Sequence, residues 1–206
     1  MGFRFLTGSD NSKISNLDFT VDLAIMNGDA VDNIEIKNNN FYNTIQAVSN
    51  WRGSGWKIHH NTITDLRTRN GGGIGILVAD FSGGIVENNK VEHNKINGTL
   101  FVDPADGGGY AGSGIVLYAD FRWGWAGASE IKNNLVKYNK VSLNSDTPEV
   151  VDVVGFELTD TRDDESLNVI FDNLVTKNDL RGTEESISLT PANLGDYNEI
   201  TKNKVN

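Results

Sequence analysis

This chain of 206 residues contains no cysteine, which excludes a disulfide scaffold, thiolate metal sites and a cysteine nucleophile. Proline is nearly as scarce, at 3. Hydrophobic residues make up only 38% of the chain and aromatics 9%, so a thick globular core is not expected. No apolar run approaches the roughly 18 residues that a membrane-spanning helix needs. The opening stretch from Met1 to Gly8 turns polar too quickly for a signal peptide. Basic residues are the minority, 18 against 28 acidic, for a net charge of −10. That balance argues against sequence-independent binding to a nucleic-acid backbone, which needs clustered Lys and Arg. What abounds is asparagine, with 26, and glycine, with 22. Apolar residues recur in regular clusters, against the pattern of a disordered chain. The length suits one domain spanning 1–206.

One short pattern repeats: an apolar residue, two variable residues, Asn, one variable residue, then an apolar residue. It reads Ile36…Asn39…Phe41, Ile58…Asn61…Ile63, Val86…Asn89…Val91, Ile131…Asn134…Val136, Ile170…Asn173…Val175 and Ile200…Asn203…Val205. A degenerate first copy, Ile14…Leu17…Phe19, has Leu at the Asn position. Between these anchors lie alternating, β-branched segments often opened by glycine, such as Ile76-Leu77-Val78, Ile115-Val116-Leu117 and Phe156-Glu157-Leu158. Two-residue periodicity with Gly and Asn punctuation predicts strands. No amphipathic helix of ten residues is evident. Repeats that cannot bury their apolar residues alone must stack, which predicts a solenoid. The anchor asparagines are expected at sharp turns, because Asn tolerates the left-handed region. Their amides are expected to bond to equivalent amides in neighbouring repeats as one buried ladder.

The six anchor copies, each followed by a glycine-opened strand, resemble the right-handed parallel β-helix of the pectate-lyase superfamily over about residues 14–205. The resemblance implies an all-β, single-stranded solenoid of about seven coils. Each coil would carry three strands, with Trp56-Lys57-Ile58 a second strand, Ile63-Thr64-Asp65 a third and Ile76-Leu77-Val78 the first of the next coil. It also implies a polysaccharide ligand lying along the first strands, walled by long insertions at Asn97–Gly112 and Asn144–Asp152. Such proteins are met at the cell surface or outside the cell. The architecture also hosts non-catalytic structural, adhesive and tailspike-like solenoids, so fold alone does not assign an activity.

The ends of the first strands carry a recurring polar and aromatic cluster: Asn50-Trp51-Arg52, Asp80-Phe81-Ser82, Asp120-Phe121-Arg122 and Asp160-Thr161-Arg162. Aspartates on successive repeats would stand about 5 Å apart and repel by about 3 kcal/mol at an effective dielectric of 20. Asp80, Asp120 and Asp160 are therefore candidate Ca²⁺ ligands, with arginines as the alternative neutralising charge. Asp120 stands one residue further from its strand start than the other two, so its register is open. By the resemblance, Ca²⁺-assisted β-elimination would use Arg122 or Arg162 as base. Hydrolysis would instead use paired acids, with Glu157 and Asp160 as candidates alongside Asp120. The fixed Asn-Thr-Asp and Gly-His-Gly signatures of the hydrolases are missing from the sequence, and Asp103-Pro104 is followed by Ala105 where an epimerase motif continues to histidine. Binding without catalysis would use Trp51, Arg52, Phe81, Tyr110, Phe121, Trp123 and Trp125, whose rings suit carbohydrate stacking. Trp56 falls on the inward alternation with Ile58 and is expected in the core. His59 and His60 are neighbours and should point opposite ways in a strand, which with His93 makes a zinc triad an unfavoured reading. Solenoid ends expose strand edges; Met1–Thr7 could cover the first repeat, and the short ends suggest a piece of a longer polypeptide or end-to-end association.

Overall fold

The computed structural model describes residues 1–69, 71–103, 105, 111–122, 129–161 and 169–206. Its strands form four sheets, and every strand pairing is parallel. With 53% strand and 4% helix, the expected all-β class is what forms. Among the described residues no helix is long and apolar enough to cross a membrane.

The first sheet stacks Phe3–Phe5, Leu23–Asn27, Gln46–Trp51, Ile74–Asp80, Ser113–Ala119, Val154–Asp160 and Glu185–Thr190. The second stacks Lys13–Ser15, Glu35–Lys37, Lys57–His59, Lys90–Glu92, Leu135–Lys137, Leu174–Thr176 and Glu199–Thr201. The third runs from Asp18–Phe19 through Asn40–Thr44, Thr62–Arg67 and Lys95–Phe101 to Lys140–Ser145, and bridges at Asp179 and Lys204 extend it. A fourth, three-stranded sheet comprises Ile85–Glu87, Glu130–Lys132 and Ile170–Phe171. From Ile74 the chain visits the first, fourth, second and third sheets before it returns to the first at Ser113. Each visit adds one layer, so equivalent residues lie in columns. Lys95–Phe101 continues the third sheet across Asn97, so the insertion expected from Asn97 begins only after Phe101.

The core is such a set of columns. Ile25, Val48, Ile76, Ile115, Phe156 and Ile187 stand in one register row, and all but Ile187 are fully buried. One step earlier the row is small: Ala47, then Gly75, Gly114 and Gly155. A Cβ on Gly114 would sit 2.6 Å from Val141 Cγ1 and 2.7 Å from the Gly155 carbonyl oxygen. One on Gly75 would sit 2.5 Å from the Gly114 oxygen. The strands open on glycine because the third sheet packs directly on their backbone. Trp56 is fully buried as expected, with its indole N–H donating to the Val31 carbonyl at 2.7 Å.

The asparagines form two ladders, which corrects the expectation of one. Asn39, Asn61, Asn94, Asn139, Asn178 and Asn203 line the turn between second and third sheets, each Nδ2 donating to the next Oδ1 at 2.9–3.1 Å. Asn50, Asn89, Asn134, Asn173 and Asn198 form the other beside the second sheet, at 2.8–3.2 Å. The left-handed residue is also not the ladder asparagine but the one before it. Asn38, His60, Asn88, His93, Asn133, Tyr138, Asp172, Lys177 and Lys202 have φ between +54° and +59°. The turn residue thereby swings outward, and the following asparagine points in, where its amide satisfies backbone as well as its neighbour: Asn61 Nδ2 also donates to the Ile36 carbonyl at 3.0 Å.

Candidate functional site

Alternation along the first sheet decides which predicted residues can meet a ligand. Ile76, Val78 and Asp80 point inward, while Leu77 and Ala79 belong to a separate outer cluster with Val116, against which Trp51 and Tyr118 pack. Asp80 pairs in register with Ala119, and Ala119 with Asp160. Asp80 and Asp160 therefore share an inward row separated by Ala119, and Asp120, one residue further on, lies on the opposite face. The structure does not bring the three aspartates together, and among the described residues no group of three His, Asp or Glu side chains could hold a metal ion.

The aspartates are also occupied. Buried Asp80 accepts the N–H groups of Ser82, Gly83 and Gly84 at 2.8–3.0 Å and the hydroxyls of Ser82 and Ser129. Burial alone would raise its pKa, but these donors outweigh it and hold the carboxyl below its ordinary value. Asp120 is gripped by the Arg122 guanidinium through Nε and Nη2, both at 2.9 Å. There too burial pushes upward and is outweighed, by Arg122 above all, so the carboxyl is held low. Such fully used donor sets do not fit Ca²⁺, which takes 6–8 oxygens on one ion.

The paired acids are likewise apart. Glu157 stands on the outer face beside Val116 and accepts the Ser113 hydroxyl at 2.5 Å, while Asp160 points inward. Asp120 follows Val116 by four residues, so its backbone lies roughly 13 Å along the sheet from that of Glu157 at about 3.3 Å per residue. Burial raises the Glu157 pKa. Arg122 is committed to Asp120 and lies 5.8 Å over the Tyr118 ring. Phe121 packs against the main core rather than on the outer face. Arg162, Tyr110, Trp123 and Trp125 lie outside the described residues.

What the fold does assemble is a groove of about 560 Å³ at the ends of the first-sheet strands, lined by Arg4, Met26, Asn27, Gly28, Trp51, Phe81 and Asp120. Trp51 meets Phe81 edge-to-face at 5.4 Å and Tyr118 at 6.1 Å. Asn27 fixes the Trp51 backbone by accepting its N–H at 2.6 Å and donating to its carbonyl. Gly28 leaves room for a cation, since a Cβ there would sit 2.5 Å from Arg4 Nε. Arg52 holds a left-handed φ of 73° and carries its guanidinium 5.7 Å over Phe81. Thus Trp51, Phe81 and Asp120 line one groove, with Arg52 over the Phe81 ring. Arg4, Met26, Gly28 and Tyr118 were missed. For Tyr118 the signal was present, two residues before Asp120 on the same face; for Arg4 it was not, since only the pairing of Arg4 with Met26 puts it there.

The histidines also differ from expectation. The left-handed turn at His60 breaks the alternation, so His59 and His60 face one another, Nδ1 to Nδ1 at 2.9 Å. No protein-family model, curated protein or solved structure matches this chain.

Proposed function

We propose that the chain is a right-handed parallel β-helix of seven coils that binds a polysaccharide at the outer face of its first sheet, outside the cell or at its surface. The observation that carries this reading is the groove of about 560 Å³. It combines the exposed parts of Trp51 and Phe81 with Arg4 and Asp120, while Arg52 lies over Phe81 and Arg122 is bonded to Asp120. Aromatic faces supply apolar area to a sugar ring, and fixed charged groups around them orient its hydroxyls. Its volume lies within the range of small-ligand clefts. Binding rather than turnover is favoured because Asp80 and Asp120 are consumed by internal hydrogen bonds, and the candidate pair Glu157 and Asp160 faces opposite sides of the sheet.

A panel of neutral and acidic glycans, followed by titration calorimetry of those retained, tests the proposal. Trp51→Ala is expected to weaken binding at least tenfold. Unchanged affinity in both Trp51→Ala and Phe81→Ala, or no glycan bound at all, would sink the groove assignment. Release of unsaturated or reducing ends from pectate or alginate would sink the binding-only reading.

A further inference from the structure

On a different face, the left-handed turns between second and third sheets build a second feature that the groove does not use. Tyr138, Lys177 and Lys202 occupy one column of these turns, and Lys140, Asp179 and Lys204 are bridged in the column beside it. Together with Asn139 and Asn178 they line a concavity of about 380 Å³. Four of the chain's eleven lysines converge there, in a protein whose net charge is −10. The one carboxylate, Asp179, is already held by Arg181 through two bonds of 2.9 Å. That guanidinium keeps its pKa at about 2.

Some lysines of the second sheet have an acid within reach: Lys13 reaches Glu35 of the next layer at 3.1 Å, and Lys137 reaches Glu92 of the layer before at 3.0 Å. Here Lys95 is in register with Lys140, and Lys177 and Lys202 directly follow the paired Thr176 and Thr201. Their backbones are one strand spacing apart, about 4.8 Å, with no acid between. Like charges directly opposite on neighbouring strands destabilise a sheet. Lys140 and Lys202 form no ion pair among the described residues, and Lys177 only donates to the Tyr138 hydroxyl at 3.2 Å, its ammonium 5.4 Å over that ring. Tyr138 in turn continues a stack of rings, 4.9 Å from His93, which lies 5.0 Å from His60. The edges of this stack carry hydrogen-bonding nitrogens and a hydroxyl, and they lead along the layers into the lysines.

We propose that this concavity binds the oxyanion groups, carboxylate or sulfate, of an acidic polysaccharide running along the columns. The unpaired ammonium groups match negative charges repeated from layer to layer. The volume equals that of about twelve waters at about 30 Å³ each, room for a sugar unit and not merely an ion. The remaining negative charge of the protein is screened beyond a Debye length of about 8 Å at physiological salt, so the local cluster governs the contact. Choosing a glycan over another polyanion rests on the proposed polysaccharide role; the anion site itself does not.

Titration calorimetry of the full chain against polygalacturonate, heparin, inorganic sulfate and a single-stranded oligonucleotide decides it. At least one acidic glycan is expected to bind, more weakly as salt rises. Lys177→Gln with Lys202→Gln should reduce that affinity tenfold or more, and Lys140→Gln, in another layer, should weaken it too. Lys57→Gln, which lines neither concavity, should leave it unchanged, so a loss confined to the cluster lysines places the contact there and not in the groove. The double variant should melt no lower than the parent, because like-charge repulsion has been removed. Absence of binding to both glycans, unaltered affinity in the lysine variants, or equal affinity for sulfate or the oligonucleotide overturns the proposal.

Discussion

Asn134 shows how much one ladder amide carries. Its Oδ1 accepts both the backbone N–H and the Nδ2 of Asn89, at 3.0 and 2.9 Å, and its Nδ2 donates to the Val86 carbonyl and to Asn173. All of this is buried. An unsatisfied buried polar group costs about 1–3 kcal/mol, and truncation here orphans several. Asn134→Ala is expected to destabilise by about 3–5 kcal/mol in denaturant unfolding, among the larger effects of single substitutions. A loss below about 1 kcal/mol would mean that water replaces the ladder. The apolar-x-x-Asn-x-apolar pattern made such residues legible, but it conflated two ladders. Val86, Asn89, Val91, Asn94 and Ile96 alternate at steps of three and two residues, so the motif occurs twice per layer, and only three-dimensional register shows that Asn89 and Asn94 belong to different columns. The backbone makes the same point at His60. Nothing in the pair of histidines announces a left-handed residue, yet that turn reverses the orientation inferred from simple alternation.

Among the elements, the first sheet depends on the glycines that open its strands. Gly114 is not demanded by its backbone angle; it is demanded by the 2.7 Å between an added Cβ and the Gly155 carbonyl, and the 2.6 Å to Val141. Backbone cannot yield as a flexible side chain can. Gly114→Ala should therefore cost about 1–3 kcal/mol, the range for overpacking, and a melting temperature equal to that of the parent would refute the close approach. The strand positions were readable from alternation, and so was the fact that polar clusters follow them. What alternation could not supply was the register at Asp120. The strand from Ser113 to Ala119 ends its inward row on Ala119, where its neighbours place Asp80 and Asp160. One residue of offset changes the face of the sheet, and with it the predicted metal triad split into two inward aspartates and an arginine-bound one on the other face.

For the whole molecule, the buried carboxyls set the response to pH. Asp80 and Asp120 have folded pKa values below the ordinary 3.8. Their contribution is complete above that value and is lost as pH falls through the folded values. Glu157 has the opposite sign: its folded pKa lies above 4.5, so its contribution is complete below that value and is lost as pH rises through the folded pKa. Glu157→Gln keeps an acceptor for the Ser113 hydroxyl and removes the buried charge. It should raise the melting temperature near neutrality, with a gain that vanishes below pH 4.5, whereas Asp80→Asn should melt lower at neutrality and lose the acid-limb dependence that Asp80 supplies. Melts across that range check both, and an equal gain for Glu157→Gln at every pH would contradict the raised pKa.

The sequence alone determined the all-β class and the layered repeat, because apolar residues at fixed offsets from asparagine and glycine leave the chain no other way to bury them. It also put Trp51, Phe81 and Asp120 at the ends of successive strands. Tertiary structure decided which face each side chain takes, since parallel register between distant strands is set by packing across layers and not by neighbours in the chain. For that reason Arg4 reached the groove, four lysines from three layers reached one concavity, and the aspartate column dispersed.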